Sequence, residues 1–286
     1  MLGAIIGDIV GSRFEWHNIK TKDFNLFTDR CHVTDDSVMT LAVAAALMSS
    51  NSKELRNQLS RNAVFYMRKF GNRCPRAGYG GRFKQWLHNP EMEAYGSYGN
   101  GAAMRVSACG WVGATLDEVK ELSFDVTNVT HNHPEGIKGA KATAVAVFLA
   151  RNGAGKADIK NYIEEHYYKL DFTLDEIRAT YAFDASCQGT VPQALQAFFE
   201  AVDYEDAIRN AISIGGDSDT LAAITGAVAE AYFGLPPFFR QKAYEYLWEA
   251  DRYYSTNGLL VHTALHFEKE YYLRAFCPRE IMQGLY

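Results

Sequence analysis

Three short acidic segments hold the residues best suited to chemistry. Thr34-Asp35-Asp36-Ser37 runs into the apolar stretch 38–48, and Gly215-Gly216-Asp217-Ser218-Asp219-Thr220 runs into 221–232. Near the start of the chain, Gly7-Asp8-Ile9-Val10-Gly11-Ser12-Arg13-Phe14-Glu15 adds two further carboxylates. The first two segments stand where helices would begin. An aspartate there can cap free amides and offset the helix macrodipole, and for an isolated Asp-Asp pair capping is a sufficient account. It explains the Asp217 segment less well. Paired glycines allow close backbone approach, and Asp217 and Asp219 precede an Ala-rich helix with the pattern of a buried one. Carboxylates crowded in such a place repel one another unless a positive charge lies between them.

Hard divalent cations supply that charge, since Mg²⁺ and Mn²⁺ prefer oxygen ligands with water completing the shell. Thr34, Asp35, Asp36, Asp217, Asp219 and Thr220 offer only oxygen donors. No His or Cys takes part in either cluster, which disfavours zinc. Two clusters far apart in sequence imply a two-metal site assembled between two helix ends. Such a site can activate water at neutral pH and orient substrate hydroxyls.

The elements that must position these residues read as helices. Val38, Leu41, Val43, Ala45 and Leu47 recur at helical spacing after a Thr-Asp-Asp-Ser start. Ile137, Ala140, Ala144, Val147 and Phe148 form a second stripe. Leu221, Ile224, Thr225, Val228 and Tyr232 form a third, stopped by Gly234 and Pro236-Pro237. Candidate breaks are short: 72–81, 88–101, 132–136, 151–156 and 234–237. Period-two alternation is scarce, so strand content should be negligible. The expected fold is all-α, one domain over 1–286, with its chemistry on loops and helix N-termini.

Hydrophobic residues make up 48% and charged residues 22% of the 286, enough to build a core and too apolar for a mainly disordered chain. A net charge of −5 gives no electrostatic footprint for nucleic acid or an anionic membrane. The cysteines (Cys31, Cys74, Cys109, Cys187 and Cys277) are scattered and odd in number, as in a protein of a reducing cytosol rather than a disulfide scaffold. The opening apolar run ends at Asp8 with no basic residue before it, so neither a secretion signal nor a membrane span is expected.

With these motifs in hand, the chain resembles the ADP-ribosylglycohydrolases, which include the dinitrogenase reductase-activating glycohydrolase and the ADP-ribosyl-acceptor hydrolases. Four elements of that family occur in order. They are Gly-Asp-x-x-Gly-x-x-x-Glu at Gly7 to Glu15, Thr-Asp-Asp at Thr34 to Asp36, Asn-Gly-x-x-Met-Arg at Asn100 to Arg105, and Asp-x-Asp-Thr at Asp217 to Thr220. The resemblance implies a compact orthogonal all-α bundle with a binuclear centre of two Mg²⁺ ions, or Mn²⁺. It implies Thr34, Asp35 and Asp36 as metal ligands from one side and Asp217, Asp219 and Thr220 from the other. Glu15 would approach from the first loop and move aside for substrate. The implied reaction is hydrolysis of the glycosidic bond between ADP-ribose and an acceptor, on an ADP-ribosylated protein or small molecule, by a cytoplasmic monomer. Glu15, with Asp36 or Asp217, would offset the positive charge building on the ribose and move protons.

In the family the diphosphate lies against a glycine-rich loop. Here that loop is Gly96-Ser97-Tyr98-Gly99-Asn100-Gly101, whose amides can converge on an anion. Tyr98 can stack on the adenine; the alternative is a plain turn leading into a helix over 104–112. His133, in His131-Asn132-His133-Pro134, is assigned a hydrogen bond to ADP-ribose, with helix capping as its alternative. Two departures stand out. Met92 occupies the stretch where some members place an aromatic second wall for adenine. Gly78-Tyr79-Gly80-Gly81-Arg82 carries no acid where arginine-specific members do. Two other readings stay open: an inactive ADP-ribose-binding or structural protein on the same scaffold, and a diphosphate-cleaving enzyme of the prenyl-synthase kind.

Overall fold

Between Asp219 and Glu230 the chain carries no charge, and Ala222, Ala223, Gly226, Ala227 and Ala229 keep its surface thin. A helix apolar all round is stable only where it is covered on every side. In the computed structural model, described over residues 1–272, that helix is Ser218–Phe233, buried continuously from Ser218 to Ala231. The fold is arranged about it.

In chain order the helices are α1 (Leu2–Gly11), α2 (Asp35–Met48), α3 (Lys53–Arg56), α4 (Leu59–Arg73), α5 (Gly81–His88), α6 (Ser107–Val112), α7 (Leu116–Thr127) and α8 (Pro134–Arg151). There follow α9 (Lys156–His166), α10 (Leu174–Arg178), α11 (Cys187–Glu200), α12 (Tyr204–Ser213), α13 (Ser218–Phe233), α14 (Pro237–Tyr254) and α15 (Leu259–Phe267). Among the described residues there is no strand, and a single antiparallel bridge joins Gly99 to Ser186. The fold is all-α, a helix-rich compact bundle. Helices α1, α8, α11 and α12 pack around α13, and α2 packs against α4 and α1. No helix among the described residues is long and apolar enough to cross a membrane.

One helix crossing places the third acidic segment. A Cβ on Gly7 would lie 2.0 Å from the carbonyl oxygen of Ala222, and one on Gly226 would lie 2.3 Å from that of Gly3. Helices α1 and α13 therefore meet backbone to backbone, which only glycine permits. The same seam runs to the end of α1, where a Cβ on Gly11 would be 2.5 Å from the Cα of Asp219. The apolar opening of the chain is thus a helix carrying Asp8 into the core. The loop bearing Glu15 begins only after the 3-10 turn Ser12–Phe14.

Helix starts follow local chemistry. Thr34 caps α2 by accepting from the amide of Asp36, and Pro134 opens α8 with His133 as its cap. The stretch expected to be helical from 104 is so only over Ser107–Val112, because 100–102 forms a 3-10 turn first. Cys31, Cys74, Cys109 and Cys187 are buried free thiols; Cys277 lies outside the described residues.

Candidate metal centre and ligand cleft

Helices α2 and α13 bring their N-termini to one place, and the end of α1 lies against both. The oxygens of Asp8, Asp36 and Asp219 lie within 4.8 Å of one another, as do those of Glu15, Asp217 and Asp219. Asp35 joins them at the cleft wall. No ion pair among the described residues involves any of these six carboxylates.

Asp8 differs from the rest. Its Oδ1 accepts from the Thr34 hydroxyl at 2.6 Å, and its Oδ2 accepts the amides of Thr34 at 3.0 Å and Ser37 at 3.1 Å, together with the Ser37 hydroxyl. Those donors occupy both oxygens, so Asp8 anchors the start of α2. Asp36 is the opposite case. Its Oδ2 accepts from the Thr220 hydroxyl at 3.3 Å, while its Oδ1 is buried with no partner. A buried carboxylate oxygen left bare costs on the order of 1–3 kcal/mol or more, and a cation is one group that can satisfy it. Asp217 stands at the cap position of α13 yet makes no side-chain bond to that helix's amides; instead Asn100 Nδ2 donates to its Oδ2 at 2.7 Å and to Thr190 Oγ1 at 3.0 Å. Capping therefore explains Thr34 but not Asp217. The residues form acidic clusters able to coordinate a metal ion.

The loop before α13 needs its glycines. Gly215 and Gly216 have φ of +69° and +78°, and a Cβ on Gly216 would fall 2.3 Å from Cε1 of Tyr181. Asn18 closes the other side. It accepts from the Gly216 amide at 2.8 Å and donates to the carbonyls of Gly216 at 2.8 Å, Phe14 at 2.7 Å and Glu15 at 3.0 Å. The backbone under Glu15 is thereby tied to the Asp217 loop.

Glu15, Asp35, Asp36, Asp217 and Asp219 line a cleft of about 320 Å³. Ser97, Gly99, Asn100, Gly101, Tyr95 and His131 also line it, together with Gly78, the stretch from Gly80 to Phe83 and the Met104–Arg105 pair. Trp16 and Phe183 stand at the cleft wall, stacked with centroids 5.2 Å apart and planes 18° apart. The glycine-rich loop is held by the segment before α11, through Asn100 N–H to Ala185 O and Cys187 N–H to Tyr98 O, each 2.8 Å.

Of the residues selected from sequence, Glu15, Asp35, Asp36, Asp217, Asp219, Thr220, Ser97, Gly99, Asn100 and Gly101 share this cleft. Thr34 lies buried behind it, turned to Asp8. Gly96, Tyr98 and His133 are not in its lining. Gly96 donates its amide to Asn132, Tyr98 is 51% exposed, and His133 caps α8 by accepting from the Glu135 amide at 3.1 Å with its ring 5.2 Å from that of Tyr98. Met92 packs partly buried against the core. The histidine in the cleft is His131. Proline at the first position of a helix makes the residue before it the cap, so the Pro134 signal already committed His133 to capping. Arg105 was visible only as the last residue of the Asn100–Arg105 motif, and Trp16, Phe183 and Tyr95 carried no comparable signal.

Burial raises the carboxyls of Asp35, Asp36 and Asp219 well above their ordinary range, and neighbouring carboxylates raise them further. Glu15 is pushed up to about 7, by burial first and then by Asp217 and Asp8. A group whose folded-state value is raised contributes stability that is complete below its unfolded value and is lost as pH rises through the folded one. For Glu15 that window runs from 4.5 to about 7, and the aspartates extend the same trend. In chelator the protein should therefore lose thermal stability across that range, and Mg²⁺ should return more of it the higher the pH. Binding at a hundredfold excess over Kd is worth about 2.7 kcal/mol. Scanning calorimetry with and without Mg²⁺ at several pH values checks this; a metal effect absent at neutral pH would oppose it.

An all-α bundle whose central helix opens onto a cation-ready carboxylate cluster, faced by a glycine-rich loop, defines the class of this protein. The chain belongs to the ADP-ribosylglycohydrolase family, whose model matches residues 1–263. It is 26% identical to the human "ADP-ribosylhydrolase ARH3", over 82% of this chain and 84% of that one. It is 24% identical to the "ADP-ribosyl-[dinitrogen reductase] glycohydrolase" of Rhodospirillum rubrum, with 82% and 84% covered. Among solved structures, an "ADP-ribosylglycohydrolase-related protein complex" shares the fold, with a TM-score of 0.59, 20% identity and coverage of 92% of this chain and 96% of that one. At the level of the family, the function is metal-associated glycohydrolase chemistry on ADP-ribose bonds.

Proposed function

We propose that this protein is a divalent-cation-dependent ADP-ribosyl hydrolase that frees ADP-ribose from an N- or O-linked acceptor. The observation that carries the reading is the bare, buried Oδ1 of Asp36 among carboxylates that form no ion pair among the described residues, in the same cleft as the glycine-rich loop. The names of the relatives support the reaction class. Two Mg²⁺ ions, or Mn²⁺, would be held by Thr34, Asp35 and Asp36 from α2 and by Asp217, Asp219 and Thr220 from α13. When bound they would activate water and orient the ribose hydroxyls.

The chain's own residues do the rest. The Thr34 hydroxyl donates to Asp8 and accepts from the Asp36 amide, which leaves one oxygen lone pair to offer. Asp36 and Asp217 supply negative charge where the ribose becomes positive as the bond breaks. Asn100 keeps Asp217 in place. Glu15, with a value near neutrality, is fitted to take or return a proton. Ser97, Gly99 and Gly101 would receive the diphosphate, with His131 beside them, and the exposed ring of Tyr98 would offer a face to the adenine. His133 would act through that ring and the start of α8. Four buried free thiols suit a reducing compartment, and we take the enzyme to act there, in the cytoplasm, as a monomer.

A panel of defined ADP-ribosylated substrates, assayed with Mg²⁺, Mn²⁺ and chelator, tests the reading. ADP-ribose should be released with cation and not with chelator. Release of inorganic diphosphate instead, or tight ADP-ribose binding without turnover of any substrate, would defeat it. Within the loop, a Cβ on Gly99 would lie 3.3 Å from Ser97 Oγ and 3.7 Å from His131 Nε2, in the space assigned to the diphosphate. Gly99→Val should therefore weaken ADP-ribose binding roughly tenfold or more, as a clash of about 1.4 kcal/mol would, and leave Mg²⁺ affinity unchanged. Titration calorimetry with each ligand separates the two; undiminished ADP-ribose affinity would return the loop to a structural role.

A further inference from the structure

Arg105 is among the most buried large side chains of the molecule, at 1% exposure, and no carboxylate pairs with it among the described residues. Its Nε has no partner, and its guanidinium lies 5.6 Å from the ring centre of Phe83. Burying a charge without a counter-ion is costly, which calls for a role. Its Nη2 donates to Thr130 Oγ1 at 2.7 Å and faces His131 Nδ1 at 3.4 Å, while Thr130 Oγ1 and His131 Nδ1 are 2.8 Å apart.

A guanidinium only donates. Nη2 also faces Nδ1, so Nδ1 is placed to offer it a lone pair, and the Thr130 oxygen, which accepts the arginine proton, can then direct its own hydrogen to Nδ1 as well. A proton on Nδ1 would set it against the donors of the guanidinium, which would find no acceptor there. The ring's proton therefore belongs on Nε2, the atom nearest the glycine-rich loop, 3.4 Å from where a Cβ of Gly101 would stand. We propose that Arg105 is a positioning residue: acting with Thr130, it holds His131 neutral with its Nε2–H aimed at the anion-binding side of the cleft.

Burial, with Arg105 as the second cause, holds His131 well below the ordinary histidine range. The other titratable groups facing this pair are Tyr95, whose ring centre is 6.0 Å from that of His131, and Cys187, Cys109 and Asp35 around Arg105. Arg82 stands over the ring of Tyr95. The consequence for ligand binding rests on the ADP-ribose reading given above; the tautomer does not.

The test is long-range ¹H–¹⁵N correlation on the full chain, which has eight histidines, with the His131 signals identified by their loss in His131→Gln. The wild type should show His131 protonated at Nε2 alone, and unchanged as pH is lowered through the ordinary histidine range near ~6.5. Arg105→Met should mix the tautomers, raise the titration of His131 toward that value, and weaken ADP-ribose binding about tenfold with Mg²⁺ affinity kept. Arg105→Lys keeps the charge but not the fork, so it should leave the ring neutral and still mix the tautomers. A proton on Nδ1 in the wild type overturns the proposal, as does an unaltered His131 in either arginine variant. If Arg105→Met fails to fold, the wild type and Arg105→Lys still decide. Failure of the wild type to bind ADP-ribose would instead strike the functional reading and leave the tautomer result intact.

Discussion

Asp36→Asn should make the metal-free protein more stable and the enzyme almost inactive. The two effects share one cause. In the folded chain Asp36 faces Asp8, Asp35 and Asp217, and with burial they hold its carboxyl well above the ordinary range. Replacing one of several like charges by a neutral group of the same shape relieves that repulsion. It also removes the charge a cation requires, at a carboxylate whose buried Oδ1 has no partner among the described residues. We expect the melting temperature in chelator to rise, Mg²⁺ affinity to fall, and kcat/KM to drop about a thousandfold, equivalent to roughly 4 kcal/mol of transition-state stabilisation. Asp219→Asn should behave alike, since Asp36 and Asp217 press on its carboxyl in the same way. The opposed signs matter: a residue that merely capped α2 would lose stability on substitution and leave turnover largely alone. Calorimetry with and without Mg²⁺, beside steady-state kinetics, reads all three quantities. Full activity in Asp36→Asn would remove it from the site.

Which parts of this arrangement sequence could reveal follows from the range of the forces involved. The breaks at 72–81, 151–156 and 234–237 coincide with the gaps between α4 and α5, α8 and α9, and α13 and α14. These are local signals from Gly, Pro and helical spacing. The clusters at Asp35-Asp36 and Asp217-Asp219 were legible for the same reason, as acids stacked at helix starts. Asp8 was visible only as part of a motif. Its place as the anchor of Thr34 and Ser37 depends on the α1–α13 crossing, a contact between residues more than two hundred positions apart. The aromatic pair Trp16–Phe183 and the trio Arg105–Thr130–His131 join segments with no periodic pattern, so nothing short of the fold brings them together. The choice between His131 and His133 is intermediate. Pro134 assigns His133 to capping on local grounds alone, whereas His131 reaches the cleft through its long-range contact with Arg105.

Glu15→Gln should lower kcat about a hundredfold, the size expected for loss of a proton-transferring group, with KM little changed. Glu15 is half-buried and lines the cleft beside Asp217 and Asp219, yet its backbone does not swing freely. Asn18 ties its carbonyl and that of Phe14 to Gly216, and the neighbouring Trp16 is stacked on Phe183. A gate at this point therefore works through the side chain, or else it must break those bonds and that stack together. The value near 7 arises from burial and from Asp217 and Asp8. Cations bound among these carboxylates would cancel the repulsion and lower it, so the ionisation limb assigned to Glu15 in the kcat–pH profile should fall below about 7 in saturating Mg²⁺. In Glu15→Gln that limb should vanish, because glutamine has nothing to ionise. A Mg²⁺ titration of the variant separates the possible roles. A residue that acted only as a metal ligand would be compensated by excess cation, and recovery of the wild-type rate there would defeat the proton-transfer role. A surface carboxylate would leave kcat, KM and the pH limb all in place, and that result would take Glu15 out of the mechanism. Loss of kcat that no concentration of Mg²⁺ restores, together with loss of the limb, is the outcome that geometry and charge at this site predict.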